Sequence, residues 1–187
     1  MSVALRRTMT LDDFLAWEAE QPERHEYDGF GPVATDGGTE AHATIGTNLV
    51  FELRGRLRNT DRRVYGPSLK VLVAGRAPYR DAFVACTPQS KEATWRTDPV
   101  VVFEVMSRST AVIDQTTKNA EYRATPSIRR YVILSQDSIS ANVYERIGDG
   151  WVGTLVTDPT AVLALPETGV ELPLAALCDG LEFNAPG

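Results

Sequence analysis

Residues 99–106 read Pro-Val-Val-Val-Phe-Glu-Val-Met. Val100-Val101-Val102-Phe103 is continuously apolar, and such a run predicts a central strand buried on both faces. Glu104 closes the run. A carboxylate beside a buried strand is costly unless it is paired or holds a metal. A second acid has the same kind of position: Asp81 opens the apolar run Ala82-Phe83-Val84-Ala85. Between the two runs, Pro88–Thr97 reads as a loop, so adjacent strands joined by that loop would bring the two carboxylates together.

Working outward, the period of the pattern changes on either side. Toward the N-terminus, Thr10-Leu11-Asp12-Asp13 predicts a helix start, with a threonine cap and acids in the first turn. That helix ends before Gln21-Pro22, because the residue preceding proline disfavours the α region. His25-Glu26-Tyr27 and Gly31-Pro32-Val33-Ala34 predict a hairpin across Asp28-Gly29. Ile45, Leu49, Leu53 and Leu57 recur every four residues and predict a second helix over 41–59. Val64-Tyr65 and Leu69–Val73 read as strands, punctuated by Gly66-Pro67, Gly75 and Pro78. Toward the C-terminus, a third helix is expected over 114–124. Strands follow at Arg130–Leu134, Ala141–Arg146, Trp151–Val156 and Ala161–Leu165, with Gly148-Asp149-Gly150 as a turn and a short helix in 172–177. Helix, hairpin, helix, strands, helix, strands is the order of an α/β domain with a mixed sheet. Residues 1–9 read as a flexible tail and 10–187 as one domain.

The 187 residues are 43% apolar and 24% charged, ordinary for a soluble globular chain. The net charge of −6 and pI near 5.0 exclude a protein that coats nucleic acid through bulk charge. They leave room for a local basic surface: Arg54, Arg56, Arg58, Arg62 and Arg63 cluster. Cys86 and Cys178 stand far apart in no metal-binding pattern and read as reduced thiols. The opening residues lack a signal-peptide apolar run, and no stretch is long enough to span a bilayer, so a cytoplasmic protein is expected.

Two carboxylates at adjacent strand ends suit Mg²⁺ or Mn²⁺, hard ions that take oxygen ligands and keep several waters. The Val105 backbone carbonyl offers a third oxygen. On the residues alone, solvated strand ends or halves of ion pairs remain the competing reading.

The segment Phe103-Glu104-Val105-Met106-Ser107-Arg108-Ser109-Thr110, followed by Asp114, Lys118, Tyr122 and Tyr131-Val132-Ile133, resembles the signature of the Uma family of putative restriction endonucleases. Tyr79-Arg80-Asp81-Ala82-Phe83-Val84 is similar to that family's aspartate strand. His25–Gly29 is similar to its glutamate hairpin, and Thr10–Trp17 to its opening helix. The resemblance covers about 8–176. It implies a restriction-endonuclease-like fold, a central mixed β-sheet flanked by helices, and metal-dependent cleavage of phosphodiester bonds in DNA. It further implies Asp81 and Glu104 as catalytic metal ligands, Glu26 as an additional acid, and a homodimer. The family's lysine position two after the glutamate holds Met106, which points to Lys118 on the following helix. Lys118 also stands four residues after Asp114, the spacing of an ordinary helical ion pair. A module that keeps the nuclease fold without catalysis is the alternative.

Several side chains have plainer readings. Ser107, Ser109 and Thr110 suit the capping of the third helix. Lys70 reads as an exposed strand lysine or as a second candidate for the site, and Arg80 as a surface arginine. His25 and His42 lack metal-ligand spacing. Tyr122 and Tyr131 are expected to pack, with the Tyr122 hydroxyl finding a polar partner.

Overall fold

The computed structural model describes residues 8–35, 37–106 and 120–183. The apolar run Val100–Phe103 lies in β7, Pro99–Met106, buried along nearly all its length. β7 pairs antiparallel with β5 (Ala82–Ala85) and parallel with β8 (Arg130–Ser135). β3 (Arg63–Tyr65) adds antiparallel to β5; β9 (Ala141–Ile147) and β10 (Gly150–Val156) extend the other side as an antiparallel hairpin. The result is a mixed six-stranded sheet in the order β10-β9-β8-β7-β5-β3.

Side chains alternate across this sheet. Val101, Phe103 and Val105 join Ala82, Val84, Val132 and Leu134 on one face. That face is covered by Ile45, Leu49 and Leu53 of α2 (Glu40–Arg56), by the hairpin of β11 (Val162–Leu165) and β12 (Val170–Pro173), and by α3 (Leu174–Leu177). Phe83, Val102, Tyr131 and Ile133 face the other way, onto Val71, Val73, Ile128 and Tyr122 from the helical residues 120–124. A third, smaller cluster joins Phe14 of α1 (Leu11–Glu18) to Tyr27 of the hairpin β1 (His25–Tyr27) and β2 (Pro32–Ala34). Among the described residues no helix is long and apolar enough to cross a membrane.

Thr10 caps α1 as expected, its hydroxyl accepting the Asp13 N–H at 3.2 Å. α2 is capped by Thr39 and stops at Arg56, three residues short of the expected end; Asn59 turns to a positive φ of 66°. The strand expected over 69–73 shortens to β4, Lys70–Val71. Val73 and Arg76 exchange both backbone hydrogen bonds around Ala74 and Gly75, whose φ values of 47° and 76° make a tight left-handed turn. β4 pairs parallel with β6, Trp95–Arg96, inside the stretch expected to be loop. Of the third helix, 114–119 lie outside the described residues.

Candidate active site

The pairing of Ala82 with Phe103 ends the β5–β7 ladder. One step beyond it, Asp81 and Glu104 come to facing positions at the rim of a cleft of about 590 Å³. The cleft is closed on its other sides by Glu26, the loop at Gly37–Thr39, His42, Arg80 and Val105.

Asp81 stands where the ladder has run out. Its Oδ2 accepts the Val105 N–H at 2.7 Å, a bond that a backbone carbonyl would make if β5 continued. Its Oδ1 lies 2.7 Å from His42 Nε2. A carboxylate only accepts, so Nε2 carries the proton. The Asp81 hydrogen bond raises the His42 pKa above 6.5; burial opposes the shift, and the charges of Asp81 and Glu104 reinforce it. His42 occupies the first turn of α2, where the positive end of the helix dipole disfavours a cation. Its partner Asp81 lies 39 positions away, so the sequence carries no local signal of the contact.

Glu104 is only 3% exposed. Its Oε1 accepts the Tyr122 hydroxyl at 2.5 Å and meets Arg80 Nη1 at 2.9 Å. Burial raises the Tyr122 hydroxyl pKa well above its ordinary value. Burial works against the Arg80 charge, but the Glu104 carboxylate overcomes it and holds the guanidinium protonated. Arg80 also sits 5.5 Å from the centre of the Tyr122 ring. It is therefore a buried partner of Glu104, correcting its expected place on the surface: a guanidinium tolerates burial when a carboxylate meets it.

Glu26 joins the cleft from β1, with Oε1 accepting the Tyr79 N–H at 2.9 Å. Lys70 is buried as well, which overturns its reading as an exposed strand lysine. Its ammonium pairs with Glu18 of α1 and lies 3.3 Å from the Tyr79 hydroxyl, and it does not line the cleft. Lys118, Asp114, Ser107, Ser109 and Thr110 fall outside the described residues. Cys86 and Cys178 are both free thiols.

Among the described residues no three His, Cys, Asp or Glu side chains gather into a metal-holding group. The oxygen donors at the ladder end are the Asp81 and Glu104 carboxylates and the Val105 carbonyl, and the Glu26 carboxylate also lines the cleft. In a strand the N–H and C=O of one residue face the same neighbour, so the Val105 carbonyl flanks the side on which its N–H meets Asp81. Oxygen donors of this number and kind fit a hard divalent ion that retains water.

Residues 11–175 match the family model described as "Uma2: Putative restriction endonuclease". The uncharacterized protein slr1290 of Synechocystis sp. is 28% identical over 175 residues, covering 92% of each chain. A second uncharacterized protein of that organism, sll1609, is 24% identical over 156 residues, covering 80% of this chain and 87% of its own. The fold is similar to the crystal structure of a putative nuclease belonging to DUF820 from Anabaena variabilis ATCC 29413. That match has a TM-score of 0.72 and 17% identity, and covers 90% of this chain and 97% of that one.

Proposed function

The chain belongs to the Uma2 family, and from that premise we propose that it is a Mg²⁺- or Mn²⁺-dependent nuclease that hydrolyses phosphodiester bonds in DNA. The observation that carries the reading is the opposition of Asp81 and Glu104 across the end of the β5–β7 ladder, with Val105 tied to Asp81. Asp81, Glu104 and the Val105 carbonyl would hold the ion. When bound, it would polarise a phosphodiester and favour hydroxide over water.

The remaining roles belong to the chain itself. Tyr122 and Arg80 fix the Glu104 carboxylate from two directions. Arg80 supplies a desolvated positive charge at the cleft, suited to oxygens of a phosphate. Glu26 is the additional acid, held toward the cleft by the Tyr79 N–H. Lys118 takes the role of the motif lysine, orienting the attacking water or stabilising charge on the phosphorus oxygens. A homodimer in the cytoplasm completes the reading.

The test is incubation of the purified protein with plasmid and with single-stranded DNA, in Mn²⁺ and in chelator. Cleavage in Mn²⁺ alone is expected, with Asp81→Ala reducing it at least about a hundredfold, the scale on which electrostatic groups act at reacting centres. Equal behaviour of wild type and Asp81→Ala on every substrate sinks the catalytic claim.

A second reading, a nuclease fold kept for assembly or regulation, draws on one observation. Both acids already have cationic or protonated partners, Asp81 with His42 and Glu104 with Arg80. Calorimetry separates the two readings: absence of heat on titrating Mn²⁺ to millimolar concentration favours the non-catalytic module.

A further inference from the structure

Residues 54–63 carry five arginines against one acid, Asp61, in a chain of net charge −6. Four of them, Arg54, Arg58, Arg62 and Arg63, line a trough of about 360 Å³ where α2 turns into β3. Phe51 forms part of the same lining. At 74% exposure it is the most exposed large apolar side chain among the described residues. Phe51, Arg54 and Gly55 follow the i, i+3, i+4 spacing of one helix face, opposite the buried Ile45, Leu49 and Leu53, and Arg58 stands in the turn just beyond the helix.

Arginines near a helix C-terminus complement its dipole. That accounts for Arg54 and Arg58 taken alone. It does not account for an aromatic ring left in water beside them, nor for the two loop arginines. Arg62 is anchored by Nη2 donating to the Glu167 carbonyl at 3.1 Å, while its buried Nε has no hydrogen-bond partner among the described residues. Arg63 is anchored by Nη1 to the carbonyls of Thr60 and Arg62. The trough thus pairs two anchored guanidiniums with the exposed Arg54 and Arg58 around an exposed ring. Gly55 lines the trough, and a Cβ added there would meet nothing within 4 Å.

We propose that this trough is a binding surface for single-stranded nucleic acid, with a base stacked on Phe51 and the flanking phosphates paired by Arg54, Arg58 and Arg63. Interleaved aromatic and basic groups are the recognition chemistry of unpaired strands, because a duplex keeps its base faces stacked inside. A second copy of the chain is a poor occupant: a twofold contact through this face would set arginines against arginines. The surface begins at Phe51, roughly 14 Å along the axis of α2 from His42 at about 1.5 Å per residue. It goes beyond the hydrolytic reading and does not depend on it.

The test is fluorescence anisotropy of a dye-labelled oligothymidylate with the intact protein, in chelator, so that cleavage plays no part. Wild type is expected to bind, with log affinity falling by about 0.7 per contacted phosphate for each unit of log salt. Phe51→Ala should weaken binding about tenfold, the effect of losing one base–aromatic stack. Gly55→Glu, which places a carboxylate in the trough and favours the helix, should weaken binding at least as much while leaving the melting temperature unchanged or raised. The proposal is overturned by any of three results: absence of binding by wild type, wild-type affinity in both trough variants, or tighter binding to an equal-length duplex or to phosphatidylserine vesicles than to the single strand.

Discussion

At the scale of single residues, the cleft is a set of charges each met by a partner from another part of the chain. Arg80 and Glu104 are the deepest of these pairs. Removing one member leaves the other charged and buried, which costs about 3–5 kcal/mol. Arg80→Met should therefore lower the urea-unfolding free energy by about that much, and Arg80→Met combined with Glu104→Gln should recover most of it. A single variant as stable as wild type would mean that Glu104 finds compensation elsewhere. Asp81 and Glu104 were legible in the sequence because each borders an apolar run, and an acid in that position has few alternatives to a partner. Arg80 and His42 were not. The burial of a long cation or an imidazole is decided by which distant segment meets it, and the His42–Asp81 contact spans 39 positions. No periodicity records such a meeting.

At the scale of elements, long apolar runs gave reliable strands, and the stripe of α2 gave a helix, because burial on the sheet enforces both. Short pieces escaped. β6 is two residues long inside a stretch whose composition is that of a loop, and β4 ends early because Ala74 joins the break that Gly75 signals, at φ values of 47° and 76°. The attachment of α1 escaped as well. Glu18 at its last turn pairs with Lys70 of β4 and accepts the Tyr79 hydroxyl at 2.8 Å, so the helix is fastened next to the segment that carries the cleft. Burial alone would raise the Glu18 pKa, but the hydrogen bonds from Lys70 and Tyr79 and the Lys70 charge outweigh it and hold the carboxyl below 4.5. A depressed folded pKa contributes stability above the unfolded value and loses it as pH falls through the folded one. Glu18→Gln should thus be less stable than wild type near neutral pH. The gap should close as the pH is lowered below about 4.5, the range in which the unfolded carboxyl takes up its proton. Urea titrations of both proteins across that range measure it; a gap independent of pH would assign the loss to packing alone.

At the scale of the molecule, the sheet of the described residues ends in two edges of opposite character. β3 is three residues long and carries the exposed Arg63, a short charged edge of the kind that resists pairing. β10 runs seven residues, Gly150–Val156, without a charged side chain, and Val152 and Leu155 are 46% and 63% exposed. A long uncharged edge with exposed apolar side chains is a template for another strand. The partner that matches it without further assumption is the same edge of a second copy, antiparallel across a twofold axis. Because β10 and β3 stand at opposite ends of the strand order, such a dimer would leave the arginine trough beside β3 uncovered, and the cleft at β5 and β7 as well. Light scattering coupled to size-exclusion chromatography should then report a dimer. Val152→Lys with Leu155→Lys should convert it to a monomer with an unchanged circular dichroism spectrum, since both side chains lie on an exposed strand. A monomeric wild type, or a dimer that survives both lysines, would remove β10 as the interface.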